Sequence, residues 1–185
     1  MHSTLGQVAD VFLVRDAEPD DVPAIARIFA PYALESALTF DTVPFTEDEW
    51  LDKLQTARRT GRPFLVAALD STVIGYAYVT PWKAKPGYSQ TVENSIYLAP
   101  EYAGRGYGRA LLAELLVRAA AADARQVIAV IADSGSPASQ ALHRSAGFIE
   151  AGRLRQVGFK HGRWIDTVLM QYSADAAQGR GHDQA

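Results

Sequence analysis

A glycine-rich turn between an extended segment and a helix constrains this sequence more than any other feature. Residues Val92–Leu98 are rich in β-branched and aromatic side chains, which favours a strand. Gly104, Gly106 and Gly108 follow at alternate positions, and leucines recur at helical spacing from Arg109 onward. Glycines at a helix start leave backbone N–H groups uncovered, and the helix dipole adds positive potential. The stretch therefore predicts a strand, a turn and a helix that together bind an anion, most simply a phosphate.

Two common phosphate-binding motifs do not fit this turn. A P-loop requires Lys and then Ser or Thr after its last glycine, whereas Arg109 and Ala110 follow Gly108. A dinucleotide fingerprint requires two residues between its second and third glycines, and only Tyr107 lies there. On the glycines alone, an ordinary strand-to-helix connection without a ligand is the open alternative.

Composition narrows the classes of function. The 185 residues fit one domain, which we expect to span residues 10–173 between flexible termini, 1–9 and 174–185. A formal net charge of −3, with no run of basic residues, argues against a nucleic-acid partner. The chain has no cysteine, and its four histidines lack ligand-like spacing, so we expect no metal site. Neither a membrane-spanning stretch nor a signal peptide is recognisable, so we expect a cytoplasmic location and no membrane partner.

The remaining segments predict a mixed α/β fold with the element order β, α, α, β, β, β, α, β, α, β, β. An apolar stripe predicts a first helix that Pro31 bends or ends, and a capping box at Thr46 opens a second helix. The nearly all-apolar segment Gln126–Ala132 predicts a strand covered on both faces. A short helix is predicted over Ser136–Ala146, with Gly147 just beyond its end. The predicted strands cover residues 11–15, 63–69, 73–80, 92–98, 126–132, 148–159 and 163–172.

The glycine turn resembles the acyl-CoA site of the GNAT N-acetyltransferase family. That family's pattern is Arg or Gln, two variable residues, Gly, one variable residue, and Gly or Ala. The segment Ala103–Gly108 has both glycines but not the leading basic residue, whose charge Arg105 and Arg109 could supply. Ser136 stands where the family often has an asparagine that contacts the CoA arm.

The resemblance implies the GNAT fold, a mixed and mostly antiparallel sheet with helices on both faces and a splayed acetyl-CoA cleft. It also implies acetyl-CoA as the co-substrate. The implied cofactor-binding residues are Ile96, Tyr97, Leu98, Ala103, Gly104, Arg105, Gly106, Tyr107, Gly108, Arg109 and Ser136.

Two residues are candidates for the proton transfers that acetylation of an amine requires. Glu93 is the candidate base, because a pantetheine arm running back along the strand from the glycine turn would end near it. His143 stands where many family members have a tyrosine that protonates the departing thiolate, and its usual pKa suits that role. The alternatives are a solvated strand residue for Glu93 and a packed or exposed histidine for His143. Because no acyl-enzyme nucleophile is recognisable, we expect direct transfer in a ternary complex.

Segments outside the glycine turn resemble the phosphinothricin and methionine sulfoximine acetyltransferases. These segments are Leu38–Phe40, Pro81–Lys85 with Tyr88, Thr91–Glu93, and Gly158–Trp164 with Asp166. The resemblance implies acetylation of the α-amino group of a small amino acid analogue that carries a tetrahedral phosphinate, sulfoximine or sulfone. It also implies a homodimer, with the Gly158–Trp164 hairpin as one contact.

The implied substrate pocket combines aromatic walls with positive charge. Lys83 and Lys85 could pair with the substrate's carboxylate or phosphinate, although a solvated loop face is the alternative for both. The implied substrate residues are Phe40, Trp82, Lys83, Lys85 and Tyr88.

Two other functions stay open at this stage. One is acetylation of another small amine, such as an ordinary amino acid, a polyamine or a protein N-terminus; the Lys83 and Lys85 loop argues against polyamines. The other is a CoA-binding regulator without catalytic activity. Turnover of an amine, and its dependence on Glu93, would separate the two.

Overall fold

The computed structural model describes residues 11–174, and the strands, helices and contacts of the protein are those of this range. Seven strands form one sheet in the order β1-β2-β3-β4-β5-β7-β6. They are β1 (Phe12–Asp16), β2 (Phe64–Leu69), β3 (Thr72–Pro81), β4 (Thr91–Leu98), β5 (Gln126–Ala132), β6 (Ile149–Lys160) and β7 (Arg163–Ser173). The helices are α1 (Val22–Glu35), α2 (Glu47–Arg59), α3 (Tyr107–Ala121) and α4 (Ala138–Ser145). Of the neighbouring strand pairs, β4 and β5 run parallel and the others antiparallel.

The sheet carries a hydrophobic core on each face. Helices α1 and α2 cover one face with an aromatic cluster in which Phe29, Trp50 and Tyr76 are almost fully buried. Helix α3 covers the other face with the apolar stripe seen in the sequence, which includes Leu111 and Leu115. The predicted α/β sheet with helices on both faces is therefore confirmed.

Two predicted helix-end signals are present in the structure, the capping box that begins α2 and the glycine that follows α4. The Thr46 backbone N–H donates to Glu49 Oε2 (2.7 Å) and the Glu49 N–H donates to Thr46 Oγ1 (3.2 Å), which is the predicted capping box. Gly147, two residues after the end of α4, has φ +94°, and its N–H donates to the Arg144 carbonyl, as expected for a glycine that ends a helix.

Of the two effects predicted for Pro31, it does not end helix α1, since the helix continues to Glu35. A proline inside a helix removes one helical hydrogen bond, because it has no backbone N–H. Burial of Ala33 and the hydrogen bond from Tyr32 Oη to the Leu98 carbonyl (2.5 Å) secure the turn beyond it.

Several element boundaries also differ from the prediction, by one or two residues. Helix α3 begins at Tyr107 rather than Arg109, and α4 begins at Ala138 rather than Ser136. Strand β7 includes Ser173, and Ala174 is buried, so the C-terminal segment begins later than expected. Residues 1–9 and 175–185, which hold the rest of the predicted flexible termini, lie outside the described residues.

The sheet opens between its two parallel strands. Strand β4 pairs with β5 only through Thr91 to Glu93, whose partners are Gln126 to Ile128. Beyond Glu93 the strands separate, and both line a cavity. Val130 lines that cavity with 39% of its surface exposed, so β5 is not covered on both faces as predicted. The separation is the splayed cleft expected of the fold.

Within the described range, no helix combines the length and the apolar character needed to cross a membrane.

Candidate active site

The cavity at the strand separation has a volume of about 910 Å³. Its walls come from the diverging halves of β4 and β5, the glycine turn, α4 and the connection between α1 and α2. It therefore joins the predicted anion site to Glu93, His143 and Phe40 in one continuous space.

The glycine turn adopts a backbone that only glycine takes easily. Gly104 has φ +75° and Gly106 has φ +90°, and a β-carbon at either position would face open space. The constraint there is conformation rather than crowding. Gly108 serves a different purpose, because a β-carbon would lie 3.1 Å from Leu98 Cδ1 where α3 approaches β4. The turn thus presents the uncovered N-terminus of α3 to the cavity, a geometry suited to a phosphate group.

Most of the predicted cofactor residues meet at the cavity. Those that line it are Ile96, Tyr97, Leu98, Ala103, Gly104, Gly106, Gly108 and Arg109. Three others do not line it. The Arg105 guanidinium lies 5.7 Å from the ring centre of Tyr102, and Tyr107 stacks on Phe12 at 4.9 Å. Ser136 Oγ accepts a hydrogen bond from the N–H of Ala138, the first residue of α4 (3.4 Å).

Glu93 lies where the strands begin to separate. It is half-buried, forms the last β4–β5 pair with Ile128, and lines the cavity. Burial raises the pKa of Glu93, and the positive charge of Lys83 partly opposes that rise. A carboxylate with a raised pKa at the edge of a cavity can accept a proton from a bound ammonium.

His143 is 2% exposed and has a polar partner at each ring nitrogen. Nδ1 lies 2.8 Å from the Ser139 carbonyl, and Nε2 lies 3.0 Å from Asn94 Nδ2. A carbonyl only accepts, so the ring proton resides on Nδ1, and Nε2 accepts from the Asn94 amide. Burial lowers the pKa of His143, and the bond to Ser139 partly opposes this. The geometry therefore favours the neutral imidazole.

Asn94 is a site residue that the sequence reasoning did not select. It is buried, lines the cavity and holds His143, yet its Oδ1 atom has no hydrogen-bond partner among the described residues. The strand alternation put Asn94 on the same face as Val92 and Ile96. A polar residue on such an apolar face needs a buried partner, and that signal could have identified it.

The end of the cavity nearest the α1–α2 connection is aromatic and polar. Phe40 lines it as predicted, together with Asp41, Lys53, Tyr32 and Tyr78, which the sequence reasoning did not select. Asp41 directly follows the Leu38–Phe40 motif, so proximity in the sequence was an available signal.

The other predicted substrate residues lie apart from this cavity. Trp82, Lys83, Lys85 and Tyr88 are on the loop between β3 and β4 and are not part of its lining. Lys83 Nζ lies 4.5 Å from the ring centre of Trp82. Lys83 nevertheless acts on the site, because its charge contributes to the pKa of Glu93.

Residues 11–174 contain no group of three or more His, Asp or Glu side chains placed to hold a metal ion.

Comparison with known proteins identifies close relatives of this chain. The family model described as the Acetyltransferase (GNAT) family matches residues 24–148. A phosphinothricin N-acetyltransferase of Alcaligenes faecalis is 43% identical over 163 residues, which cover 88% of this chain and 83% of that protein. An L-methionine sulfoximine/L-methionine sulfone acetyltransferase of Pseudomonas aeruginosa is 36% identical over 88% of this chain and 94% of its own length.

The solved structures include a similar protein with a bound ligand. A GNAT superfamily phosphinothricin acetyltransferase from Sinorhizobium meliloti, in complex with acetyl-CoA, superimposes with a TM-score of 0.83 at 41% identity. The match covers 88% of each chain.

Proposed function

Because this chain belongs to the GNAT family of acetyltransferases, we propose that it uses acetyl-CoA to acetylate the α-amino group of a small amino acid analogue. The analogue is of the phosphinothricin or methionine sulfoximine type. The observation that carries the proposal is the single cavity that connects the glycine turn to a half-buried carboxylate and an aromatic end. The named activities of the two similar enzymes support the substrate class.

Acetyl-CoA fits the cavity through residues that differ along its length. The pyrophosphate suits the N-terminus of α3, where Gly104 and Gly106 keep the approach open and Arg109 adds charge. The pantetheine arm suits the edge of β4 from Asn94 to Leu98, which faces the cleft and is not paired with β5. This arrangement directs the thioester toward Glu93.

Glu93 is the proposed general base. The substrate amine arrives as an ammonium, and Glu93 takes one of its protons, which frees the nitrogen lone pair. The nitrogen then attacks the thioester carbonyl, an N–C bond forms, and the C–S bond breaks to release a thiolate. Direct transfer of this kind predicts initial-rate lines that intersect, whereas a covalent acyl-enzyme would give parallel lines.

His143 is the proposed donor of the proton that the thiolate takes. The donor must be the imidazolium, in which both ring nitrogens carry protons. Nδ1–H would keep its bond to the Ser139 carbonyl, so Nε2–H is the proton that passes to the thiolate. Until the thiolate forms, the unpartnered Asn94 Oδ1 could accept from Nε2–H after rotation of the amide. Because burial lowers the pKa of His143, this form gives up its proton more readily than a free imidazolium and is present in small amount. We therefore expect His143 to contribute less to the rate than Glu93.

We also propose a homodimer with the β6–β7 hairpin in the interface. Phe159 and Trp164 pair across this hairpin with ring centres 5.1 Å apart, and they are 56% and 61% exposed. Ile149, Leu154 and Val157 on β6 are exposed as well. Such a concentration of exposed large apolar side chains on one hairpin is typical of a protein contact.

We place the reaction in the cytoplasm, where acetyl-CoA is available. Acetylation removes the positive charge of an α-ammonium group, so it would change how an amino acid analogue binds to its target. A protective role against such compounds is consistent with that chemistry.

Thiol release from acetyl-CoA, measured with a panel of amines, tests the proposed function. The panel contains phosphinothricin, methionine sulfoximine, methionine sulfone, ordinary amino acids and spermidine. We expect the first three to be preferred, and Glu93→Gln to lower kcat/KM by about 100-fold or more, since loss of a general base usually has that effect. His143→Gln should cause a smaller loss.

The outcomes separate the competing functions. Turnover confined to other amines would keep the acetyltransferase and discard the substrate class. Binding of acetyl-CoA without turnover of any amine would favour a regulatory protein. Equal activity of wild type and Glu93→Gln would remove Glu93 from the mechanism.

A further inference from the structure

Lys160, the last residue of β6, is a buried cation outside the machinery described above. Only 4% of its surface is exposed. Its ammonium donates hydrogen bonds to the carbonyls of Tyr32 (3.2 Å), Thr39 (2.9 Å) and Asp41 (2.6 Å). An ammonium has three N–H donors, so each has a partner.

These carbonyls belong to one piece of chain. Tyr32 lies in the last turn of α1, where unpaired carbonyls and the helix dipole favour a cation. Thr39 and Asp41 lie on either side of Phe40, in the segment from Ser36 to Asp41, which is neither helix nor strand. We call this segment the 36–41 loop. The Lys160 ammonium therefore fixes the backbone on both sides of Phe40.

The neighbouring residues of the hairpin hold the same loop. Gly158 and Lys160 share a face of β6, and a β-carbon on Gly158 would overlap the ring of Phe40. His161 Nε2 lies 3.2 Å from the Ser36 carbonyl. Phe40 also packs against a small cluster of Ala37, Ala132 and Ile165. The hairpin thus contacts the loop at its start, its middle and its end.

The loop that Lys160 holds is a wall of the cavity. Four residues of this loop line the cavity: Leu38, Thr39, Phe40 and Asp41. The glycine turn also lines the cavity, but none of its residues is a hydrogen-bond partner of the Lys160 ammonium. Burying an ammonium costs free energy that only well-placed acceptors recover. The hydrogen bonds from the buried Lys160 ammonium to these carbonyls therefore fix the conformation of this wall.

We propose that Lys160 is a positioning residue that sets the amine-binding wall of the cavity through Phe40. This inference rests on the proposed function, because it assigns that wall to the amine. It separates the two substrates: the glycine turn governs acetyl-CoA, and the Lys160 contact governs the amine.

The test compares Lys160→Met, which removes the charge and keeps the length, with Lys160→Arg, which keeps a cation. Arg163→Met is the matched control, because it removes a positive charge from the exposed end of the same hairpin. We expect Lys160→Met to raise the KM of the amine by about tenfold or more, the order expected when a charged hydrogen bond is lost. The KM of acetyl-CoA should change by less than about twofold. Lys160→Arg should restore part of the amine KM, and Arg163→Met should resemble wild type.

A double-mutant cycle shows whether Lys160 acts through Phe40. If it does, the effects of Lys160→Met and Phe40→Leu on the amine KM are not additive, because both change the same contact. Additive effects would overturn the proposal. If Lys160→Met does not fold, Gly158→Ala tests the same contact by displacing the Phe40 ring while Lys160 stays in place. An amine KM equal to that of wild type in Gly158→Ala would also overturn it.

Hydrogen exchange of residues 36–41 separates this proposal from the proposed function. Exchange should be faster in Lys160→Met than in wild type and unchanged in Arg163→Met, whatever the natural amine is. Unchanged exchange in Lys160→Met would overturn the positioning role even if acetylation is confirmed. Faster exchange with an unchanged amine KM would show that the loop is held by Lys160 but is not the amine wall.

Discussion

At the scale of single residues, charge around Glu93 determines when the proposed base is active. Burial raises its pKa and Lys83 opposes that rise from the β3–β4 loop. The base functions only when it is ionised, so kcat/KM should fall as the pH drops through the pKa of Glu93. Lys83 can therefore influence the reaction without contacting the substrate.

The substitution Lys83→Ala tests this influence. Removing the positive charge should raise the pKa of Glu93, so the acidic limb of the kcat/KM profile should move to higher pH. Because Lys83 is exposed and solvent screens its charge, we expect a shift of about a few tenths of a pH unit. Lys85→Ala is the control, since it removes a lysine from the same loop. A limb that stays in place in Lys83→Ala, or that moves equally in both variants, would contradict this account.

Prediction from sequence worked unevenly at this scale. Glu93, His143 and Phe40 were selected from motifs, and the structure brings all three to one cavity. Asn94 and Lys160 were not selected as site residues, because their importance lies in partners 49 and up to 128 positions away in the chain. The alternation of β4 marks Asn94 as a polar residue on an apolar face. Contacts of that range nevertheless depend on the packed fold, so the sequence does not reveal the partners of either residue.

At the scale of elements, the glycine turn combines two separate requirements. Gly106 needs its left-handed backbone, and an alanine there costs about 1–2 kcal/mol of stability. The same residue is the N-cap of α3, so a changed backbone would also misdirect the N–H groups proposed to bind the pyrophosphate. Strain and ligand binding can be separated by comparison with another left-handed glycine.

Gly106→Ala and Gly61→Ala form that comparison. Gly61 has φ +64° just after α2, where a β-carbon also faces open space, and it does not line the cavity. Both variants should unfold at lower temperature, by similar amounts. Only Gly106→Ala should weaken acetyl-CoA binding, by about tenfold, which corresponds to about 1.4 kcal/mol, as measured by calorimetry. Equal loss of affinity in both variants would show that general destabilisation is responsible.

Element types were predictable because the apolar periodicity is strong. The order of strands and helices, the capping box and the glycine after α4 all follow from local signals. The continuation of α1 beyond Pro31 was not predictable from local signals, because tertiary contacts of the final turn offset the missing hydrogen bond. The exposure of Val130 was not predictable either, since the sequence of β5 does not show at which residue β4 and β5 stop pairing.

At the scale of the whole molecule, the exposed hairpin aromatics predict association. Wild type should sediment at about twice the 20.1 kDa mass of the chain. Trp164→Glu should sediment near the mass of one chain, because a buried carboxylate in an apolar interface costs several kcal/mol. Val117→Glu, on the exposed face of α3, places the same charge at a position 63% exposed and should stay dimeric. A wild type that sediments as a single chain would exclude the dimer.

The divided sheet has a mechanical consequence. Strands β1 to β4 form one part of the sheet and β5 to β7 form the other. The short β4–β5 pairing joins the two parts at one end, and beyond it the gap between β4 and β5 opens. The hydrogen bonds of Lys160 connect β6, in the second part of the sheet, to the 36–41 loop, which follows α1 on the first part. They provide a second connection between the two parts. With both connections in place, the width of the gap is fixed in the folded protein before a ligand binds. A ligand that fits this width does not have to order the walls, and that part of the entropic cost of binding has been met in advance.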